Sequence, residues 1–267
     1  MFPNLMLSGS LYNVCLIVAV VLSMFLADRM AIMRGFSVRL QKLLIITIVA
    51  SVILGFVGAV FFQSVYAWLK TGVFKLSGMT FYGGLIFGVL TFLIVWFGIG
   101  ALWCKDGEPK KKFPAMLDIA ACIIPLAHGI GRIGCLMAGC CHGDLTDAWY
   151  GVMHYNGVKV NGVVYDSAKV VPIQLFEAIF LLCLAGVLFF LFFKKFGKEN
   201  KGRFPLMPIY CVFYGIWRFF IEYARADERG ATIIPWLSPS QLIAVIMFTI
   251  GIIYFCLWFF KRNKTKE

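Results

Sequence analysis

The stretch His128-Gly129-Ile130-Gly131-Arg132-Ile133-Gly134-Cys135-Leu136-Met137-Ala138-Gly139-Cys140-Cys141-His142-Gly143 places glycines, cysteines, two histidines and one arginine between long apolar runs. A charge among apolar runs is costly in hydrocarbon and persists where it faces a cavity, a partner or a polar ligand. Arg132 therefore needs a partner, and two readings of its surroundings stand open. The glycines Gly131, Gly134, Gly139 and Gly143 suit a tight turn that presents amide N–H groups to an anion, and a guanidinium beside such amides matches phosphate oxygens bidentately. Small residues at this spacing also let two membrane helices touch. The soft ligands Cys135, Cys140, Cys141 and His142 open a further chemistry, a bound metal or a thiol redox couple.

The other polar residues inside apolar runs fall into groups. Tyr214, Arg218, Glu222 and Arg225 recur at helical spacing and share one face, with Glu222 able to pair with either arginine. His128, Arg132 and Cys135 share a face if their helix continues. Gln174 and Glu177 open the fifth apolar run, and Tyr82-Gly83-Gly84 opens the third. The functional reading gathers them around one outward-facing polar cavity. The structural alternative is a set of buried ion pairs and hydrogen bonds that lock helices together.

The elements that must position these residues follow from composition. With 61% hydrophobic and 14% charged residues, and runs close to the roughly 20 residues that cross a bilayer, the chain reads as an all-α polytopic membrane protein, a single integral membrane domain over 1–267. About seven spans are expected, at 11–27, 43–63, 83–103, 115–128, 174–193, 206–223 and 241–260. The fourth is short and reads as a broken or tilted helix running into the glycines. No basic region precedes the first apolar run, so no removable signal peptide is expected. Cys15, Cys104, Cys122, Cys183, Cys211 and Cys256 read as packing residues. Between the fourth and fifth spans, an external cap over about 144–172 is expected. It carries Asn156-Gly157 and Asn161-Gly162 around Val158-Lys159-Val160, a strong hairpin signal.

Lys and Arg cluster in 28–42, 104–114, 194–203 and 261–266, which together hold most of the 25 basic residues. Cytoplasmic loops carry such an excess, so the N-terminus is expected outside and the C-terminus in the cytoplasm. The formal charge of +12 is then answered by anionic membrane lipids, and no nucleic acid is needed as a partner.

Gly131-Arg132-Ile133-Gly134 followed by Gly139 and Gly143 resembles the signature of the bacterial prolipoprotein diacylglyceryl transferases, roughly G-R-I-G-N-F-x-N-G-E-x-x-G. Further matches follow in family order. Gly78–Leu85 is similar to G-M-S-F-H-G-G-L, Pro172–Glu177 to P-S-Q-L-Y-E, Arg218–Arg225 to R-F-x-x-E-F-x-R, and Ser238-Pro239-Ser240-Gln241 to S-M-G-Q. The chain departs from the pattern at Cys135, Ala138 and Cys140, where the family has Asn, Asn and Glu, and at Tyr82, where it has His. Tyr12 matches a first-helix tyrosine in a weaker context.

The resemblance implies a multi-pass protein of the bacterial plasma (inner) membrane that moves a diacylglyceryl group from phosphatidylglycerol to the thiol of a lipobox cysteine in a prolipoprotein signal peptide. It implies catalytic roles for Arg132, Arg218, Glu222, Tyr82 and His128. Substrate contacts would come from Arg132, Gly131, Gly134, Gly139, Gly143, Gly83, Gly84, Arg225, Gln174 and Tyr12. The sulfur nucleophile belongs to the acceptor, so the site must favour its thiolate and stabilise charge on the departing phosphate, which arginines and amides do best where water is scarce. A tyrosine hydroxyl is a poor base but a good donor to phosphate, and His128 or His142 would serve if a base is needed. No metal or organic cofactor is expected. Two alternatives remain: a metal-binding or thiol-redox protein built on Cys135, Cys140, Cys141 and His142, and an anionic-lipid transporter using the same arginines.

Overall fold

A computed structural model describes residues 5–74, 76, 78, 80–160, 162–195, 205–226 and 236–264. Met79 of the third-span motif, Asn161 of the hairpin, and Lys75, Lys198, Lys201, Arg203, Arg229 and Lys266 among the basic residues lie outside them. The chain forms two compact units, one of Leu26–Met116 and one of Met1–Phe25 with Leu117–Glu267.

In the Leu26–Met116 unit, α2 (Val38–Thr71) starts where the Ser37 hydroxyl accepts from the Leu40 amide, and it ends at Gly72, whose φ of 71° only glycine adopts cheaply. Helix α3 (Phe81–Leu93) is capped by Thr80 and continues through a π-helical turn at Ile94–Ile99. A methyl added to Gly58 would collide with the Phe87 ring, and one on Gly83 with the Gly58 carbonyl. The two backbones thus meet at glycines, as membrane helices do when dispersion rather than water drives packing. The loops flanking α2 and α3 are tied together. Ser37 donates its amide (2.9 Å) and hydroxyl (2.5 Å) to Glu108, and the Lys112 Nζ donates to the Arg34 carbonyl (2.9 Å).

The other unit takes the start of α1 (Leu5–Met33), most of α4 (Phe113–Ala138), a hairpin, α5 (Ile173–Phe190), α6 (Leu206–Ile221) and α7 (Pro239–Lys264). The expectation of a short, broken fourth span is corrected. Helix α4 runs unbroken for 26 residues through Gly129, Gly131 and Gly134, and the irregular backbone starts only at Gly139, with φ of 74°. A continuous helix satisfies its own amides, which hydrocarbon requires.

Among the described residues, six helices are long and apolar enough to cross a membrane. The seventh expected span, 206–223, is the 16-residue α6, about 24 Å of helix against a hydrocarbon core of about 30 Å. Its first amide, of Leu206, donates 2.7 Å to the buried Asp118 of α4, so a side chain caps an end that water would otherwise solvate. Gly215 brings α6 onto α7, where a methyl would lie 2.9 Å from the Ala244 carbonyl.

The cap is the expected hairpin. Strands β1 (Val152–Val160) and β2 (Val163–Val170) pair antiparallel from Val152 opposite Val170 to Val160 opposite Val163. The two Asn-Gly pairs separate in role. Gly162, φ 86°, falls between the strands, whereas Gly157, φ 81°, lies where the register shifts between Tyr155 and Val158, a bulge within β1. Val158, Val160, Ala168 and Val170 bury together with Ala226, which follows α6. Bridges of Gly143 to Arg225 and Leu145 to Val170 fix the segments leaving α4 and α6 beside it.

Candidate functional site

Glu177, in the first turns of α5, is fully buried, and a lone carboxylate there would be untenable in hydrocarbon. Its environment supplies compensation from two other helices. From α4, Arg132 Nε lies 2.8 Å from Oε2, and His128 Nε2 lies 3.9 Å from Oε1. From α6, the Tyr214 hydroxyl donates to Oε1 at 3.2 Å, and Arg218 Nη1 stands 3.8 Å from the same oxygen. Helical spacing explains the convergence, since residues four apart stack on one face: His128 with Arg132, and Tyr214 with Arg218.

Arg218 also reaches outward. Its Nη2 donates to Glu222 Oε2 at 2.7 Å and to the Ser240 hydroxyl at 2.8 Å. Beyond Ile221 the helix tightens into a 3₁₀ turn, Glu222–Ala224, which places Arg225 Nε 4.0 Å from Glu222 Oε2. The other Glu222 oxygen accepts from the Ser238 hydroxyl at 2.8 Å. Ser238 is positioned by the start of α7. Its hydroxyl accepts from the Gln241 amide (3.2 Å), while the Gln241 Oε1 accepts from the Ser238 amide (2.9 Å). This reciprocal capping box, with Pro239 pre-set for the first helical turn, holds two site hydroxyls still.

Among the described residues, three guanidiniums thus face two carboxylates. Arg132 meets Glu177 through Nε, so among the described residues its two terminal nitrogens have no ion-pair partner. Beside it, a methyl built on Gly131 would meet nothing within 4 Å among the described residues. A planar fork whose terminal nitrogens are not engaged by a carboxylate suits an anion with two oxygens, such as a phosphate diester.

The structure brings His128, Arg132, Arg218, Glu222 and Arg225 into one network. Gly134 packs against Tyr12, whose Cδ2 would lie 3.2 Å from an added methyl. Gln174 donates from Nε2 to the Cys140 carbonyl at 2.9 Å, so its visible part is to hold the turn after α4. Gly139 ends α4, and Gly143 is pressed against the Ala224 carbonyl and Ile173. Tyr82, Gly83 and Gly84 belong to the other unit. Tyr82 stands half-exposed there, and both glycines face α2. His142 is buried, with Nδ1 3.0 Å from the Gly143 carbonyl and its ring against His154. The sequence placed Glu177 and Tyr214 among the polar residues of one cavity without giving them a role, and gave Ser238 and Ser240 none beyond their motif. The signal for Glu177 was present: a carboxylate inside an apolar run carries the same cost as Arg132.

The sulfurs of Cys135, Cys140 and Cys141 lie within 4.8 Å of one another. Hydrogen bonds from its two neighbours hold the Cys141 thiol below its ordinary range, and the charges of Arg225 and Arg132 act in the same sense. The Cys140 thiol, sharing its hydrogen bonds with the other two, is pushed up.

Comparison with known proteins bears directly on this network. The family model described as prolipoprotein diacylglyceryl transferase matches residues 4–257. The chain belongs to the prolipoprotein diacylglyceryl transferase family. Among relatives, it is similar to a phosphatidylglycerol–prolipoprotein diacylglyceryl transferase 2 of Clostridium perfringens, 32% identical over 67% of this chain and 62% of the relative. It is also similar to a phosphatidylglycerol–prolipoprotein diacylglyceryl transferase of Clostridium tetani, 33% identical over 70% of this chain and 67% of the relative. A Dehalococcoides mccartyi protein of the same name is 28% identical over 88% of this chain and 84% of its own length. The matched region thus spans just under two thirds of the Clostridium perfringens relative. Family membership weighs against a metal-binding or redox protein and against a transporter as readings of the whole chain.

Proposed function

We propose that this chain transfers an sn-1,2-diacylglyceryl group from phosphatidylglycerol to the thiol of a lipobox cysteine in a prolipoprotein, at the outer face of a bacterial plasma membrane. The observation that carries the reading is the Glu177-centred network, in which Arg132 Nε lies 2.8 Å from Glu177 Oε2 and the two terminal nitrogens have no ion-pair partner among the described residues. In the reaction, the acceptor sulfur forms a bond to a glyceryl carbon, the carbon–oxygen bond to phosphate breaks, and glycerol phosphate leaves with the electron pair. The thiol proton is lost to a base, and His128, 3.9 Å from Glu177, is the nearest imidazole of the network. Arg132 and Arg218 stabilise the charge that grows on the phosphate, and Glu177 and Glu222 hold their side chains in place before the substrate arrives.

Complementation tests the reading. The chain is expressed where the resident transferase is depleted, and a lipoprotein reporter is examined by mass spectrometry. A diacylglyceryl adduct on the lipobox cysteine is expected. An inserted, abundant protein that leaves the reporter unmodified would reject it.

A further inference from the structure

We propose that Cys135, Cys140 and Cys141 form a three-thiolate site for one soft d¹⁰ ion, Cu(I) or Zn(II), at the end of α4. This goes beyond the transferase reading and stands or falls without it. Thiolates sit about 2.3 Å from such an ion, so three of them around one centre are roughly 3.8–4.0 Å apart. Sulfurs already within 4.8 Å of one another need move only a little to close on it.

The backbone builds this convergence. Cys135 lies on the last turns of α4, Gly139 leaves the helix at φ 74°, and Cys141 takes φ 63°, a conformation that residues other than glycine rarely adopt. The reversal is pinned at several points. The Cys140 amide donates to the Cys135 carbonyl (3.2 Å), Gln174 Nε2 donates to the Cys140 carbonyl (2.9 Å), and the Gly143 amide donates to the Val171 carbonyl (2.9 Å). Cys140 is exposed, which gives an ion a way in, while Cys135 and Cys141 are partly covered. Thiolate donors in a trigonal array select Cu(I) or Zn(II) over hard cations. On binding, each thiol releases its proton to solvent, the ion sheds its waters, and no electrons are exchanged.

The test uses the full chain in detergent, reduced and free of oxygen. Zn(II) and Cu(I) are titrated against chromophoric chelators, and X-ray absorption counts the sulfurs around the bound ion. One equivalent with three sulfurs at about 2.2–2.3 Å is expected. Cys135→Ser, Cys140→Ser and Cys141→Ser should each weaken binding by more than roughly 100-fold, beyond the cost of losing an outer-shell partner. A variant with the other six cysteines replaced by Ala should still bind one equivalent with three sulfurs. A sulfur count of two or fewer on the unaltered chain, or affinity unchanged by all three Ser replacements, would overturn the proposal. The sulfur count needs no variant, so it decides even if a replacement fails to fold.

Discussion

Arg132 and the cysteines divide the chemistry between them, and that division can be measured. If the Arg132 fork holds the departing phosphate, Arg132→Ala removes a few kcal/mol of transition-state stabilisation, on the order of 100-fold or more in rate. Arg132→Lys should recover only part, because an ammonium keeps the charge and loses the paired geometry. Replacing Cys135, Cys140 and Cys141 together with Ser should abolish metal binding and leave substantial transfer, since the reacting sulfur belongs to the acceptor. The comparison is made as initial rates at equal membrane abundance. A dead triple variant beside a working Arg132→Ala would reject the mechanism. Glu177→Ala is a different kind of change, because it leaves Arg132 and Arg218 buried around an empty centre. A loss of about 3–5 kcal/mol of stability is expected, seen as reduced abundance and a lowered melting temperature before any effect on rate.

At the scale of helices and strands, the glycines of the α4 stretch are not equivalent, and the difference is testable. A methyl at Gly143 would sit 2.6 Å from the Ala224 carbonyl and 2.7 Å from the Ile173 side chain, so Gly143→Ala should cost about 1–3 kcal/mol in thermal stability. Gly131→Ala meets no described neighbour and gains helix propensity, so stability should rise by up to about 1 kcal/mol. If Gly131 lines the substrate space, transfer should nevertheless fall by about tenfold, near 1.4 kcal/mol in the barrier.

The hairpin offers a pH test through His154, buried in β1 against Gly139, with its proton affinity lowered by burial to a pKa of about 4. The ordinary value is 6.5, so between these values the unfolded chain takes up a proton that the folded chain refuses. Stability is therefore full above pH 6.5 and falls as pH drops toward 4, by up to about 3 kcal/mol. Melting temperatures from pH 7 to 4 should show this slope, and His154→Phe should flatten it. A variant with the same slope would contradict the assignment.

The spans and the hairpin were legible because hydropathy and Asn-Gly pairs are local signals. The continuity of α4 was not, because a glycine-rich helix and a glycine-rich turn share a composition until a packing partner such as Tyr12 or Leu182 decides between them. The arginines stood out as charges in apolar runs, whereas the centrality of Glu177 depends on which helix faces meet, and that is a tertiary fact.

At the scale of the molecule, the same contacts bear on orientation. Ser37 to Glu108 and Lys112 to the Arg34 carbonyl bind the basic loops 28–42 and 104–114 to each other, so both lie at one membrane face. Helix α4 spans about 39 Å over its 26 residues, more than the roughly 30 Å of hydrocarbon. The first amide of α6 meets Asp118 of α4, and its far end meets Ser238 through Glu222. If the basic loops lie in the cytoplasm, as their charge predicts, Cys labels introduced at Lys111 and Lys266 should be protected from a membrane-impermeant maleimide, and one at Asn161 should react in intact cells. Labelling should be run in a variant lacking the native exposed cysteines Cys140, Cys183 and Cys256. Asn161 protected and Lys111 reactive would turn the network of Arg132, Glu177 and Arg218 toward the cytoplasm, away from an outer-leaflet donor and an exported acceptor. The transferase reading would then need a different route for both substrates.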